Sequence, residues 1–155
     1  EQQLINILDY IEKGKAEGAR LLTGGNRITG EAYDKGYFIE PTVFTDVTSD
    51  MSIAREEIFG PVLSIIPVEN FEEAISVAND VEYGLAASIV TNNLARTMEY
   101  IDKIEAGIIH INHSTAGAEV QVPFGGMKKS SFGIREQGTE TINFYTTWKT
   151  VYIHY

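Results

Sequence analysis

The stretch from residue 62 to residue 112 constrains this chain more than any other. Apolar runs at 62–68, 86–91 and 107–112 alternate there with two segments of helical periodicity. Strands that stay apolar on both faces need cover on both sides, unlike the in-and-out alternation of a half-solvated sheet. The pattern therefore reads β-α-β-α-β and predicts a parallel sheet with helices packed on it, joined by right-handed crossovers: an α/β layer architecture. The first helix opens at Asn70, with Glu73 three residues on as the reciprocal cap, and Phe71, Ala74, Ile75 and Ala78 form its apolar face. The second is expected to be capped near Asn92, to bury Leu94, Met98, Ile101 and Ile104, and to end at Gly107.

Upstream, Leu4, Ile5, Leu8 and Ile11 mark one face of an opening helix that should fray near Gly14 and stop by Gly18. Residues 19–23 read as a strand closed by Gly24-Gly25, and 26–36 as a surface excursion. Segments 37–39 and 42–44 flank Pro41, which has no N–H for a central ladder, so both are expected at a sheet edge. Residues 46–55 read as a loop with one helical turn. Downstream, the loop 113–124 follows the last strand, and ligands of parallel sheets collect beyond the carboxyl ends of the strands. That loop is the candidate site on fold grounds. Residues 128–133 are small and polar, 136–144 should hold a helical turn, and 147–155 alternate β-formers, with Val151 and Ile153 on one side and Tyr152 and His154 on the other. With no repeat or low-complexity linker to mark a boundary, one compact unit is expected.

Lys and Arg number 12 against 22 Asp and Glu, a net charge of -10, which disfavours nucleic acid and anionic membranes as partners. The last 35 residues nevertheless carry a net positive charge. No apolar run approaches the roughly 18 residues of a membrane helix, and no signal segment opens the chain, so the cytoplasm is the expected compartment. There is no cysteine, which excludes disulfides, thiolate metal sites and a thiol nucleophile among these residues. The chain starts without Met, directly in a helical pattern. That predicts a start inside a larger protein, although a tag-cleaved or processed small protein would begin the same way.

Several motifs have a plain reading beside a chemical one. The glycine-rich run 123–130 matches neither the P-loop nor the dinucleotide fingerprint, and paired glycines more often permit a tight turn or close packing. Glu56 and Glu57 are adjacent, so their carboxylates diverge, whereas an acid/base pair must converge on one bond. A solvated or capping pair is the simpler account. His110 and His113 lack a third ligand at a recognisable spacing, so no metal site is expected. Asn92-Asn93 reads as a helix cap, and Trp148 with Tyr145 and Phe144 as packing or interface. Read from the residues alone, the chain is an α/β domain with a candidate loop site.

The run Glu56-Glu57-Ile58-Phe59-Gly60-Pro61-Val62 resembles the E-E-I-F-G-P-V motif of the aldehyde dehydrogenase family. It is followed at matching intervals by Ala78-Asn79-Asp80 with Tyr83-Gly84-Leu85-Ala86, by Ala106-Gly107 with Ile111-Asn112, and by Pro123-Phe124-Gly125-Gly126. The resemblance spans essentially the whole chain. It implies oxidation of an aldehyde to an acid through a cysteine thiohemiacetal, hydride transfer to NAD or NADP, and hydrolysis of the thioester. It also implies a fold: residues 1–144 as the C-terminal part of a three-layer, Rossmann-like catalytic domain, and 145–155 as a β arm for homo-oligomerisation. The family's nucleophilic Cys, general-base Glu and oxyanion-stabilising Asn all precede the matched region, so no catalytic residue falls in this chain and the chain alone is expected to be inactive.

Carried over by residue, Glu57 matches the glutamate that hydrogen-bonds the nicotinamide ribose, and Phe59 the aromatic that positions the nicotinamide. Phe124 matches an aromatic near the nucleophile, and His113, Ser114 and Thr115 fall in the variable loop lining the substrate mouth. Arg135-Glu136 resembles the family's R-E pair, but here Ile134 is inserted between Gly133 and Arg135. Within the family, residues 112–117, 129–133 and 135–138 are most similar to the 2-oxoglutarate semialdehyde (2,5-dioxopentanoate) dehydrogenase branch. A second reading stays open beside the enzyme: a non-catalytic interaction module that keeps the fold and has lost the chemistry.

Overall fold

The computed structural model describes residues 1–155 and divides them into two units, Glu1–Val77 and Ala78–Tyr155. The single unit expected from the sequence is thus corrected. The division falls inside a regular helix, where no Gly, Pro or polar linker announces it.

In the first unit α1 (Gln2–Ala16) precedes β1 (Arg20–Thr23), β2 (Thr42–Thr45), the single turn α2 (Ser52–Arg55) and β3 (Val62–Ser64). The buried stripe of α1 is Leu4, Ile7, Ile11 and Gly14, at helical spacing. Leu8 lies at its margin and Ile5, expected inside, is exposed. Gly14 belongs to the helix rather than to its fraying end. A Cβ there would stand 2.9 Å from Ile53 Cδ1, so the small residue lets α1 approach α2 closely. The helix stops where Gly18 takes φ +102, a conformation that costs glycine little.

The sheet order is β1-β2-β3, with β1 and β2 antiparallel and β2 and β3 parallel in the register Thr42↔Val62, Val43↔Leu63, Phe44↔Ser64. β2 is therefore the middle strand, not the edge strand expected from Pro41. The proline lies just outside the ladder, and the first donor the strand needs, the Thr42 N–H, reaches the Pro61 carbonyl at 2.8 Å. Of the segment 37–39, only Ile39 pairs, in an isolated bridge to Arg27. Centring β2 places Phe44, fully buried, among Ile7, Ile11, Ala19, Val47 and Ile53. Thr42 is buried beside it with its hydroxyl donating to the Glu40 carbonyl and accepting from the Gly25 N–H.

The helix α3 (Phe71–Asn79) leads into the second unit, which holds β4 (Tyr83–Gly84), β5 (Ala86–Ile89), α4 (Leu94–Lys103), β6 (Ile108–Ile111), β7 (Met127–Lys128) and α5 (Thr141–Tyr145). At the start of α3 Asn70 accepts from the Glu73 N–H at 2.9 Å, as expected, while the Glu73 carboxylate reaches back one residue further, to the Glu69 N–H. β5 and β6 form a parallel pair, Ala86↔Ile108 to Ile89↔Ile111, joined through α4, and β4 pairs antiparallel with β7.

The five alternating elements do not hydrogen-bond into one sheet: β3 pairs with β2, and β5 with β6. An apolar run says that a strand needs neighbours, not which ones. The cap of α4 is Asn93, accepting from the Arg96 N–H, one residue later than expected. Its expected core face is also corrected. Tyr100 and Ile104 are buried, whereas Leu94, at 74% exposure, and Met98 and Ile101 face outward. Burial pushes the Tyr100 hydroxyl pKa above its ordinary value. Residues 147–155 form no strand in this chain and stand exposed. No helix is long and apolar enough to cross a membrane.

Phe44 fills the centre of the first unit, and its truncation leaves a cavity bounded by a helix and a sheet. Phe44→Ala is expected to destabilise that unit by about 3–5 kcal/mol, read as a fall in the urea midpoint.

Candidate functional site

Where α2 ends, the chain turns extended at Glu56, with φ −106 and ψ 146. The Glu56 carboxylate accepts the Tyr10 hydroxyl at 2.6 Å, while Glu57 is exposed, so the two carboxylates diverge as adjacent side chains should. Two residues on, Phe59 adopts φ +57 with its side chain 77% exposed. A bulky residue in the left-handed region costs about 1–3 kcal/mol, and such conformations persist only where the surroundings impose them.

The surroundings here are specific. Gln3 Nε2 donates to the Ile58 and Phe59 carbonyls at 3.1 and 3.0 Å. Gly60 lies so close to α1 that a Cβ would stand 2.6 Å from Ile7 Cδ1. The backbone of 56–61 is thus fixed from beneath, and it holds a carboxylate and a bare aromatic ring toward solvent. That pair suits a ligand with vicinal hydroxyls beside a flat heterocycle, since a carboxylate accepts from two hydroxyls and a ring covers a planar face.

The second unit carries a groove of about 560 Å³ lined by Ile108, His110, His113, the loop 116–120, and Val122, Pro123 and Phe124. Its position follows from the end of β6. Asn112 takes φ +55, and its side-chain amide closes two bonds with the backbone of Thr91: the Thr91 N–H donates to Oδ1 at 2.7 Å, and Nδ2 donates to the Thr91 carbonyl at 3.0 Å. The Asn112 N–H meanwhile donates to the Ile89 carbonyl. Asparagine tolerates the left-handed conformation and carries its own donor and acceptor, so it can end the strand and turn the chain outward.

Beyond it, the His113 carbonyl accepts from Ser88 Oγ at 2.6 Å, and the His113 ring stacks on His110 with centroids 5.7 Å apart. His113 Nδ1 lies 2.8 Å from the Ser114 carbonyl oxygen, and His110 Nε2 is buried without a partner. No third ligating group joins the two imidazoles to form a metal site.

Phe124 is held by a reciprocal pair of backbone bonds with Glu136, its N–H donating at 2.6 Å and its carbonyl accepting at 3.0 Å. Arg135 donates from its guanidinium to the Gly126 carbonyl, and the Gly126 N–H donates to Ser131 Oγ at 2.6 Å. A Cβ at Gly107 would run into the Gly125 carbonyl, and one at Gly126 would stand 2.6 Å from Ser130 Cβ. The paired glycines therefore serve close packing, and the Gly126 N–H is already committed to a neighbour rather than held for a phosphate.

Of the residues singled out in the sequence, Glu57 and Phe59 share one short segment, and His113 and Phe124 line one groove. Ser114 and Thr115 are in the same loop but not among the groove's lining residues. His110, weighed in the sequence only as a metal ligand, lines the groove too, and the period-2 step from Ile108 along β6 carries that signal. The bracing of Phe124 by Glu136 has no such signal, because a pairing twelve residues apart across an irregular loop leaves no local pattern.

The chain from residue 1 to 151 matches the model of the aldehyde dehydrogenase family. It is 52% identical over 99% of its length to the alpha-ketoglutaric semialdehyde dehydrogenase of Bacillus subtilis, and 52% identical over 95% to the betaine aldehyde dehydrogenase of Brucella anthropi. It covers 31% and 30% of those proteins, so it spans about a third of the length of the curated relatives it matches. It superposes on a crystal structure of Mycobacterium tuberculosis aldehyde dehydrogenase complexed with NAD+ with a TM-score of 0.87 at 45% identity, over 94% of this chain and 29% of that one.

The turn at Asn112 yields a direct expectation. Asn112→Ala loses two hydrogen bonds and strains the backbone, and should destabilise the second unit by about 2–4 kcal/mol; Asn112→Gly, free of the strain, should cost about 1 kcal/mol less. Amide exchange at Thr91, whose N–H the side chain protects, is expected to accelerate in both variants.

Proposed function

This chain belongs to the aldehyde dehydrogenase family, and from that premise we propose that it is the part of an NAD(P)-dependent aldehyde dehydrogenase that positions the nicotinamide end of the cofactor and forms the substrate mouth. The observation that carries the proposal is Phe59, an exposed aromatic held in a left-handed conformation one residue beyond Ile58 and two beyond the free carboxylate of Glu57. Neither residue contributes to the core of its unit, and both are displayed by a backbone that the neighbouring helix fixes.

Bound, the cofactor would accept a hydride from the aldehyde carbon. The work of this chain is geometric. Glu57 accepts hydrogen bonds from the ribose hydroxyls, and Phe59 lies against the nicotinamide ring and keeps water from it. The thiol that attacks the aldehyde is supplied from outside these residues, as the chain has no cysteine. In the groove, Phe124 gives the aldehyde an apolar wall, and His113 with its neighbours Ser114 and Thr115 forms the variable rim.

For the substrate we propose a short aldehyde carrying a carboxylate, of the 2-oxoglutarate semialdehyde kind, as in the name of the Bacillus subtilis relative. Of the two imidazoles lining the groove, His113 commits Nδ1 to the Ser114 carbonyl, while His110 Nε2 has no partner and would supply an N–H for such an anion. A second reading, a quaternary ammonium aldehyde, is favoured by Glu119 in the lining together with the Phe124 ring, which suits a cation. The first is preferred because residues 112–117, 129–133 and 135–138 are most similar to the 2-oxoglutarate semialdehyde branch, and the Bacillus subtilis relative named for that substrate matches over 99% of this chain.

We place the reaction in the cytoplasm, an expectation that rests on the sequence. The terminal segment 145–155 is proposed as the arm through which copies associate. Trp148, Val151, Tyr152, Ile153 and Tyr155 all stand exposed there, an apolar and β-prone stretch without a partner in this chain. Removing residues 147–155 is expected to lower the oligomer mass in light scattering while leaving the far-ultraviolet dichroism of the rest intact.

The reading of Glu57 is tested in the full-length product of the gene. Glu57→Gln should slow single-turnover formation of reduced cofactor by about ten- to a hundredfold, since a charge-assisted bond is worth about 1.5–3 kcal/mol, with a smaller change in aldehyde KM. An unchanged burst would refute the assignment. The same stopped-flow assay, run with a semialdehyde acid and with a trimethylammonium aldehyde, decides between the two substrate readings by their kcat/KM.

A further inference from the structure

One stripe of α1 carries Gln3, Ile7 and Tyr10, at i, i+4 and i+7, and each touches a part of the 56–60 segment. Tyr10 donates to Glu56 Oε2 at 2.6 Å, Ile7 abuts Gly60, and Gln3 Nε2 donates to the Ile58 and Phe59 carbonyls at 3.1 and 3.0 Å. Two successive carbonyls can both be met from one nitrogen because a primary amide has two hydrogens to give. Phe59 itself has little else to hold it: its ring is largely exposed, so packing of the side chain does not impose φ +57. The restraint has to act on the backbone, and the Gln3 amide is the side chain that does so at Phe59.

We propose that Gln3 is a positioning residue for the nicotinamide site: by locking the Ile58 and Phe59 carbonyls it holds Phe59 in the left-handed conformation that leaves its ring outward. The proposal rests on the reading of Glu57 and Phe59 given above and adds to it a residue more than fifty positions earlier in the chain. It also assigns α1 a second task beyond the core, since the stripe that braces the segment shares Ile7 with the stripe that is buried.

The sharp test is Gln3→Glu. The side chain keeps its shape, but a carboxylate has no N–H to give and faces two carbonyl oxygens with like partial charge. If Gln3 were only a surface residue of the helix, the change would be harmless or favourable, because the first turn of α1 holds no acidic residue and a carboxylate is stabilised near a helix N-terminus. The two accounts therefore predict opposite signs.

In the full-length gene product, Gln3→Glu is expected to slow single-turnover hydride transfer about tenfold, with Gln3→Met in between and aldehyde KM within about twofold of the parent. In a Phe59→Gly background, where the left-handed conformation needs no support, adding Gln3→Glu should slow the step by less than about twofold, because the two residues act as one unit. A Gln3→Glu enzyme as fast as the parent, or an equal loss in both backgrounds, would overturn the brace. A Phe59→Gly enzyme with parental hydride transfer would instead sink the reading of the site, and the positioning role with it.

Discussion

The seating of α1 on the three-stranded sheet is the contact from which the rest of the first unit follows. Ile11 and Phe44 are both fully buried in it, and they can be so only because β2 runs through the middle of the sheet and Gly14 lets the helix come close to α2. Removing the apolar surface of two side chains of that size from water stabilises the unit by a few kcal/mol, a large fraction of the stability of a unit this small. The same contact fixes the height and rotation of α1, and so decides where Gln3, Ile7 and Tyr10 stand when the chain returns at residue 56. Core and site are two consequences of one packing arrangement.

A second constraint recurs in both units: backbone groups that leave regular structure are met by particular side chains rather than left to solvent. Thr42 takes the Gly25 N–H, Ser131 takes the Gly126 N–H, Arg135 donates to the Gly126 carbonyl, and Asn112 pairs with both polar groups of Thr91. Such bonds give irregular segments single conformations. That is what a binding surface built on loops needs, because a side chain held in place spends no entropy on being placed when the ligand arrives. Phe59 and Asn112, two of the five non-glycine residues with positive φ, are both braced in this way.

The outward face of α4 and the terminal segment show the opposite situation. Leu94, Met98 and Ile101 have the spacing of a core stripe yet face outward in this chain, and the aromatic residues of the tail stand exposed. As a general rule, contiguous exposed apolar surface on a soluble protein belongs to an interaction site. The chain covers 31% of its Bacillus subtilis relative, and the proposal for the terminal arm draws on the same principle.

How much of this was legible beforehand depends on the range of the interaction concerned. Sequence alone determined the alternation of strands and helices, the capping of α3 by Asn70, the stop at Gly18, the divergence of Glu56 and Glu57, and, by resemblance, the family; each is set by residues within a few positions of one another or by a contiguous motif. Tertiary structure decided the rest. It made β2 central, because the strand's first donor finds the Pro61 carbonyl nineteen residues on, a partner that local pattern cannot name. It turned Leu94 outward and Tyr100 inward on a helix whose periodicity allowed either, since a hydrophobic stripe records that cover is needed but not on which side it lies. It brought His110 beside His113 by stacking, and it set Gln3 beneath Phe59, because a hydrogen bond across fifty-six residues exists only once the chain has folded back on itself.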